Sequence, residues 1–234
     1  GGSGLEVTVH ELQRAPEDSR DQYGSRQWPA ALYIAGYLYD HPEIVKGRTV
    51  LELGCGNGLV SLAATALGAS KVIATDYRDL PLQLVDSAAE DAGYSDRLTT
   101  CLLDIASPMP SPAVISTRNR ASRIPPSDIT LPSHDILIAA DLGYSQALAW
   151  RLGERCGQSL AAGARIIVAE SRQMPFCRRA FSEALGVHLD GDSGVSSSSV
   201  LRLEAVSWEN PAEEAEDGAV SRHEVAVGGG GEEP

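Results

Sequence analysis

Lysine is scarce in this 234-residue chain: Lys46 and Lys71 stand beside seventeen arginines, a bias for which we have no physical account. Basic residues of both kinds are outnumbered by acids, leaving a net charge of −13. Part of that surplus is local, with nine acids against one arginine from Leu203 to Pro234. An acidic surface repels phosphate backbones, which argues against nucleic acid as a partner, and most of these charges read as a solvated tail. Long apolar runs are also missing. No stretch nears the roughly 20 residues that span a bilayer, and Ala30–Tyr39 lacks the flanks of a secretion signal, so a soluble protein of the cytoplasm, with the nucleus as the alternative, is expected. Cys55, Cys101, Cys156 and Cys177 are scattered without a C-x-x-C, and no histidine lies at ligand spacing from them. Neither a disulfide framework nor a metal site is expected. His10, His41, His134, His188 and His223 share no pattern, and there are no internal repeats.

What the chain does have is Val50–Leu62, an apolar strand joined to an apolar-faced helix through alternating Gly54, Gly56 and Gly58. Glycine lets backbone approach a ligand and accept positive φ, and the start of a helix offers N–H groups without intrahelical acceptors. A dinucleotide fingerprint reads G-x-G-x-x-G. Here Glu52-x-Gly54-Cys55-Gly56-Asn57-Gly58 is E-x-G-x-G-x-G, the pattern of S-adenosylmethionine enzymes, and a carboxylate suits a cofactor bearing an amino group and a sulfonium. Lys71–Asp76 is a second apolar run, ending in an acid eighteen residues after Gly58. That is near the offset at which a carboxylate meets ribose hydroxyls, so Asp76 is the expected ribose ligand. Tyr77 could lie on the adenine face or be an ordinary half-buried aromatic.

With 43% apolar residues the chain is expected to form one α/β domain over 5–228. Gly1–Gly4 resembles an appended leader, 5–45 an N-terminal extension, and 229–234 a disordered tail. Leu5, Val7 and Val9 alternate as in a half-buried strand. Helices are expected over Pro29–Tyr39, Leu59–Leu67, Leu80–Asp91 with Asp79 as cap, Gln146–Ala161 and Pro175–Leu185. Strands are expected at Leu98–Asp104, Ile136–Asp141 and Arg165–Glu170, with Val200–Trp208 and Val220–Val227 closing the sheet. Residues 106–133, rich in proline and without period, read as a long loop.

Three places resemble the seven-strand class I methyltransferases, and within them family 16, which includes many protein-lysine methyltransferases. They are Trp28-Pro29-Ala30-Ala31 with Tyr37-Leu38, similar to W-x-A-x-x-L-A-x-Y-L; Glu52–Leu62 with Asp76; and Asp141-Leu142-Gly143-Tyr144, matching D-x-x-Y. Val45–Val50 and Thr75–Asp79 are similar to the elongation-factor branch once labelled nicotinamide N-methyltransferase-like. The resemblance implies a Rossmann-like sheet ordered 3-2-1-4-5-7-6, helices on both faces, the seventh strand antiparallel, and S-adenosyl-L-methionine as cofactor. It implies that Trp28 flanks the cofactor, that Asp104 meets the adenine amino group with Ile105 and Ala140 nearby, and that Asp141 and Tyr144 face the methyl acceptor. Leu103-Asp104-Ile105 departs from the Leu-x-Trp of many relatives.

Methyl transfer from a sulfonium is an in-line displacement, so positioning supplies much of the rate. Taking a proton from a lysine at pH 7 costs about 4–5 kcal/mol. A carboxylate beside the amine favours its charged form, so Asp141 suits binding and aiming the nitrogen better than removing its proton. Tyr144 suits shaping the entry channel. The leading expectation is methylation of a lysine on a basic protein partner by a monomer. The alternatives are a small-molecule N-methyltransferase and an inactive cofactor-binding module.

Overall fold

The computed structural model describes residues 5–12, 26–106, 114–117, 120–123, 131–172, 174–186 and 220–227. Three layers form around a sheet in which β2 (Thr49–Leu53), β3 (Lys71–Asp76), β4 (Leu98–Leu102), β7 (Ile136–Ala140) and β8 (Arg165–Ala169) run parallel. Their order is β4-β3-β2-β7-β8, which is the 3-2-1-4-5 core of the expected sheet. β7 is apolar throughout, and β2 and β3 largely so, because helices cover both faces. On one face Val50, Val72, Ala74, Ile136 and Ile138 meet α1 (Pro29–Asp40), α2 (Leu59–Ala66) and α3 (Asp79–Asp91). On the other, Leu51, Leu53, Ile73, Leu137 and Ala139 meet Leu152 and Cys156 of α4 (Gln146–Ala161), with Phe181 and Leu185 of α5 (Pro175–Leu185) behind. Each such Leu or Ile contributes about 1.5–3 kcal/mol by leaving water.

Local chemistry sets the helix ends. Ser145 Oγ accepts from Leu148 N–H at 3.3 Å to start α4, prolines occupy the first positions of α1 and α5, and Gly186 at φ +75° ends α5. Arg78, not Asp79, holds the cap position of α3; Asp79 lies inside the first turn and accepts from Gln83.

Two expectations are corrected. The 106–133 segment is not wholly a loop, because β5 (Val114–Thr117) and β6 (Arg120–Arg123) form a hairpin, joined antiparallel to the edge of β4 by the Leu102–Val114 pair. Val114, Ile115 and Thr117 are β-branched, and in sequence Pro112 and Pro125 bracket the hairpin, which suits such an edge. Nor does Val220–Val227 close the sheet. As β9 it pairs antiparallel with β1 (Leu5–Leu12), from Leu5–Val227 to Leu12–Val220. The alternation in β1 explains why: Val7 and Val9 bury over α2 and α3, and the strand's free edge needs a partner there. Val200–Trp208, Gly1–Gly4 and 229–234 lie outside the described residues. Among the described residues no helix is long and apolar enough to cross a membrane.

Candidate functional site

Strand order reverses between β2 and β7, so the connections leaving their carboxyl ends diverge to opposite faces and open a crevice. The glycine loop forms one wall. Gly54, Gly56 and Gly58 have φ of +68°, +52° and +80°, and at Gly54 and Gly58 an added side chain would meet neighbouring residues. A Cβ on Gly58 would stand 2.4 Å from Val85 Cγ2 of α3, and one on Gly54 would stand 2.6 Å from Leu142 Cδ1 of the β7–α4 loop. The loop is therefore gripped from both sides. Gly58 N–H donates to Cys55 O at 2.8 Å, and Cys55 N–H donates to Thr75 O at 2.8 Å, which ties the turn to the end of β3.

Asp76 completes that tie. Its carboxylate accepts from Gly56 N–H at 3.2 Å and from Arg78 N–H at 3.0 Å. Leu103 N–H donates to Asp76 O at 2.8 Å, setting the end of β4 beside it; there Asp104 accepts from Ala106 N–H at 2.9 Å, and Ile105 is buried. Tyr77 is half exposed, with the Arg78 guanidinium 4.8 Å above its ring. Ala140 is half-buried at the end of β7.

Two members of the motif point elsewhere. Glu52 is buried against α2, where Ser61 Oγ donates to its carboxyl, and burial pushes its pKa up to about 8, with Asp76 adding to the rise. With its carboxyl held by Ser61 and its pKa raised by burial, the protonated form is favoured at neutral pH. The same burial, with Asp76 and Glu52 nearby, raises the Cys55 thiol. Asn57 directs its side-chain amide to Glu11 Oε1 at 2.7 Å and Gln27 Oε1 at 3.0 Å, so it anchors β1 and the approach to α1. Its side chain is thus committed to protein groups.

The opposite wall is built from the ends of β7 and β8 and the start of α1. Asp141 has φ +51°, a left-handed conformation that costs on the order of 1 kcal/mol outside glycine and persists where surroundings impose it. They do so here: Asp141 N–H donates to Ala169 O at 2.9 Å, its Oδ2 accepts from Ala30 N–H at 3.1 Å, and its Oδ1 accepts from Ser171 N–H at 2.6 Å and Ser171 Oγ at 2.7 Å. The carboxylate thus caps α1 rather than its own following helix, holding Trp28 beside this wall. Arg172 places its guanidinium 6.0 Å over the Trp28 ring. Tyr144 is 59% exposed at the rim.

Glu170, to which no role was assigned from sequence, belongs to this wall. Its Oε1 accepts from Gly143 N–H at 2.6 Å, and burial with the nearby Asp141 charge raises its pKa to about 7. An available signal was that β3, β4, β7 and β8 are each followed or ended by an acid, of which only the first three were assigned. Ser171, Arg172, Glu11 and Gln27 were also missed; each acts through a contact between segments remote in sequence.

The walls suit a nucleoside cofactor: glycine backbone for close approach, a fixed carboxylate at the end of β3, and an indole at the far side. The model of a family described as lysine methyltransferase matches residues 9–175. A Neurospora crassa protein named protein N-terminal and lysine N-methyltransferase efm7 is 42% identical over 77 residues, covering 33% of this chain and 26% of that protein. The rat electron transfer flavoprotein beta subunit lysine methyltransferase is 28% identical over 131 residues, covering 55% and 42%. Rat histone-arginine methyltransferase METTL23 is 40% identical over 80 residues, covering 34% and 35%. The matched regions thus span between 26% and 42% of the length of these curated relatives.

Proposed function

Because the chain belongs to the lysine methyltransferase family, whose model takes in residues 9–175, we propose that it is an S-adenosylmethionine-dependent methyltransferase acting on a protein amine, a lysine side chain foremost. Family membership carries the reaction class; the two-walled crevice with Asp76 on one side and Asp141 on the other supports it. Gly54, Gly56 and Gly58 would give the cofactor its close backbone approach, Asp76 its ribose contact and Trp28 an apolar flank. When bound, S-adenosylmethionine supplies an electrophilic methyl group whose transfer leaves the bonding electron pair on sulfur.

This chain's part is alignment. Three donors pin the Asp141 carboxylate, so it can accept from an incoming amine without reorganising, and such prior placement accounts for much of the rate in reactions of this kind. A carboxylate there binds the ammonium form and does not remove its proton. A like positive charge beside the amine would lower its pKa, which would leave proton loss to water. Tyr144, at the rim, borders the entrance. The names of the relatives extend the acceptor class to N-terminal amines and to arginine, which this pocket would have to discriminate by channel width.

Incubation with methyl-labelled S-adenosylmethionine and a cell extract tests the reading. A labelled protein band that disappears with Asp141→Ala supports it, label confined to small molecules redirects it to a metabolite acceptor, and no label from the wild type refutes it.

A further inference from the structure

The ends of β7 and β8 exchange carboxylates. Asp141, ending one strand, accepts from Ser171 beyond the other, while Glu170, ending the second, accepts from Gly143 beyond the first. Asp141 N–H to Ala169 O, at 2.9 Å, lies between these two bonds. The loop from Asp141 to Tyr144 is thus held at Asp141 and at Gly143. We propose that Glu170 is a positioning residue for methyl transfer, its carboxyl oxygen fixing the Asp141–Tyr144 loop through the Gly143 N–H. This inference rests on the methyltransferase reading of the preceding subsection.

Three observations converge on it. The contact is close enough that a Cβ on Gly143 would stand 2.8 Å from Glu170 Oε1 and would displace that carboxyl from its present position. The carboxyl is buried, which raises its pKa to about 7 with the nearby Asp141 charge adding to the rise, an arrangement that disfavours its charged form. A residue placed against its own electrostatic preference is held there by its hydrogen bond. Finally, the loop it holds contains a backbone in left-handed conformation at Asp141, which relaxes when one of its ties is cut. Displacement of an aligned group by about 1 Å lowers a displacement rate by on the order of a hundredfold.

Glutamine keeps the accepting oxygen and removes the charge; alanine removes both. With the full chain, labelled S-adenosylmethionine and the extract protein that the wild type labels, Glu170→Ala is expected to slow labelling by about tenfold or more at saturating cofactor. S-adenosylhomocysteine affinity by calorimetry should change by no more than about twofold, and Glu170→Gln should restore the labelling rate to within about threefold of wild type. Gly143→Ala should reproduce the loss, and adding it to Glu170→Ala should cost nothing further, since both break one contact. Amide exchange supplies a readout without activity: the Gly143 N–H should exchange about tenfold faster in Glu170→Ala and recover in Glu170→Gln. Should Glu170→Gln be as slow as Glu170→Ala, should the two substitutions be additive, or should Gly143 protection survive Glu170→Ala, the proposal is overturned. If the wild type labels nothing, the methyltransferase reading fails and so does the catalytic role of Glu170, while exchange at Gly143 still shows whether the clasp exists.

Discussion

Glu52→Gln isolates the energetic cost of placing an acid beneath the glycine loop. In the folded chain the Glu52 carboxyl titrates at about 8, against 4.5 when exposed, because burial disfavours its charged form. Between these values the unfolded chain has released a proton that the folded chain retains. Stability therefore falls as pH rises, by about 1.4 kcal/mol per pH unit, from no cost below pH 4.5 to about 3 kcal/mol at pH 7 and about 5 kcal/mol above pH 8. Glutamine has no such titration, yet its oxygen can accept from Ser61 Oγ as the carboxyl does. Its extra N–H bonds carry a fixed burial cost, so the absolute difference between the proteins is less telling than its slope. Urea or thermal unfolding of both proteins from pH 5 to pH 9 measures that slope directly, and other acids cancel in the comparison. The variant should gain on the wild type by about 1.4 kcal/mol, or roughly 3–6 °C in Tm, for each pH unit up to pH 8 and then run parallel. A difference that stays flat between pH 5 and pH 8 would refute the reasoning, for it would mean that Glu52 is ionised and solvated in the folded chain. S-adenosylhomocysteine affinity at pH 7 should be little changed, because the group being replaced is already neutral.

Gly58→Val combines a left-handed φ of +80° with a Cβ 2.4 Å from Val85 Cγ2, so it should destabilise the chain by about 2–5 kcal/mol and sharply weaken S-adenosylhomocysteine binding; unchanged unfolding and calorimetry would contradict this. Thiol reactivity should divide the four cysteines, since Cys55, Cys101 and Cys156 are buried, with pKa values raised to about 11 for Cys101 and about 12 for Cys156, whereas Cys177 is half-buried on α5. Mass spectrometry after alkylation of the native protein at pH 8 should find Cys177 modified first, with the others reacting only in denaturant.

The central βαβ units were legible because their signals are local. Val50–Leu53, Lys71–Asp76 and Ile136–Ala140 are short apolar runs bounded by glycine or acid, and α4 and α5 carry a serine cap, a first-position proline and a terminal glycine. The edges were less legible. Val220–Val227 reads equally well as a closing strand or as the partner of β1, because β-pattern specifies a half-buried face and not its neighbour. Val114–Thr117 and Arg120–Arg123 are too short to stand out among the prolines around them. At the site, Asp76 and the glycine loop are brought together at the carboxyl ends of β2 and β3. Glu52 and Asn57 show the limit of spacing: a motif fixes where a backbone runs, but the Glu52 carboxyl turned inward to Ser61 and the Asn57 amide outward to Glu11. Glu170 and Ser171 could not be paired with Gly143 and Asp141 until the topology set β8 beside β7.

The ribbon of β1 and β9 has a bearing on synthesis. Glu11, which secures Asn57 in the glycine loop, is translated before that loop, but the strand that completes its ribbon is decoded roughly two hundred residues later. Joining such distant segments in an unfolded chain costs about 5 kcal/mol of closure entropy, so pairing is cheapest once the parallel sheet has already drawn the ends together. A nascent chain stopped before Val220 would then carry its glycine turn with β1 unpaired along one edge. The anchoring of Asn57 by Glu11 is thereby linked to the arrival of β9.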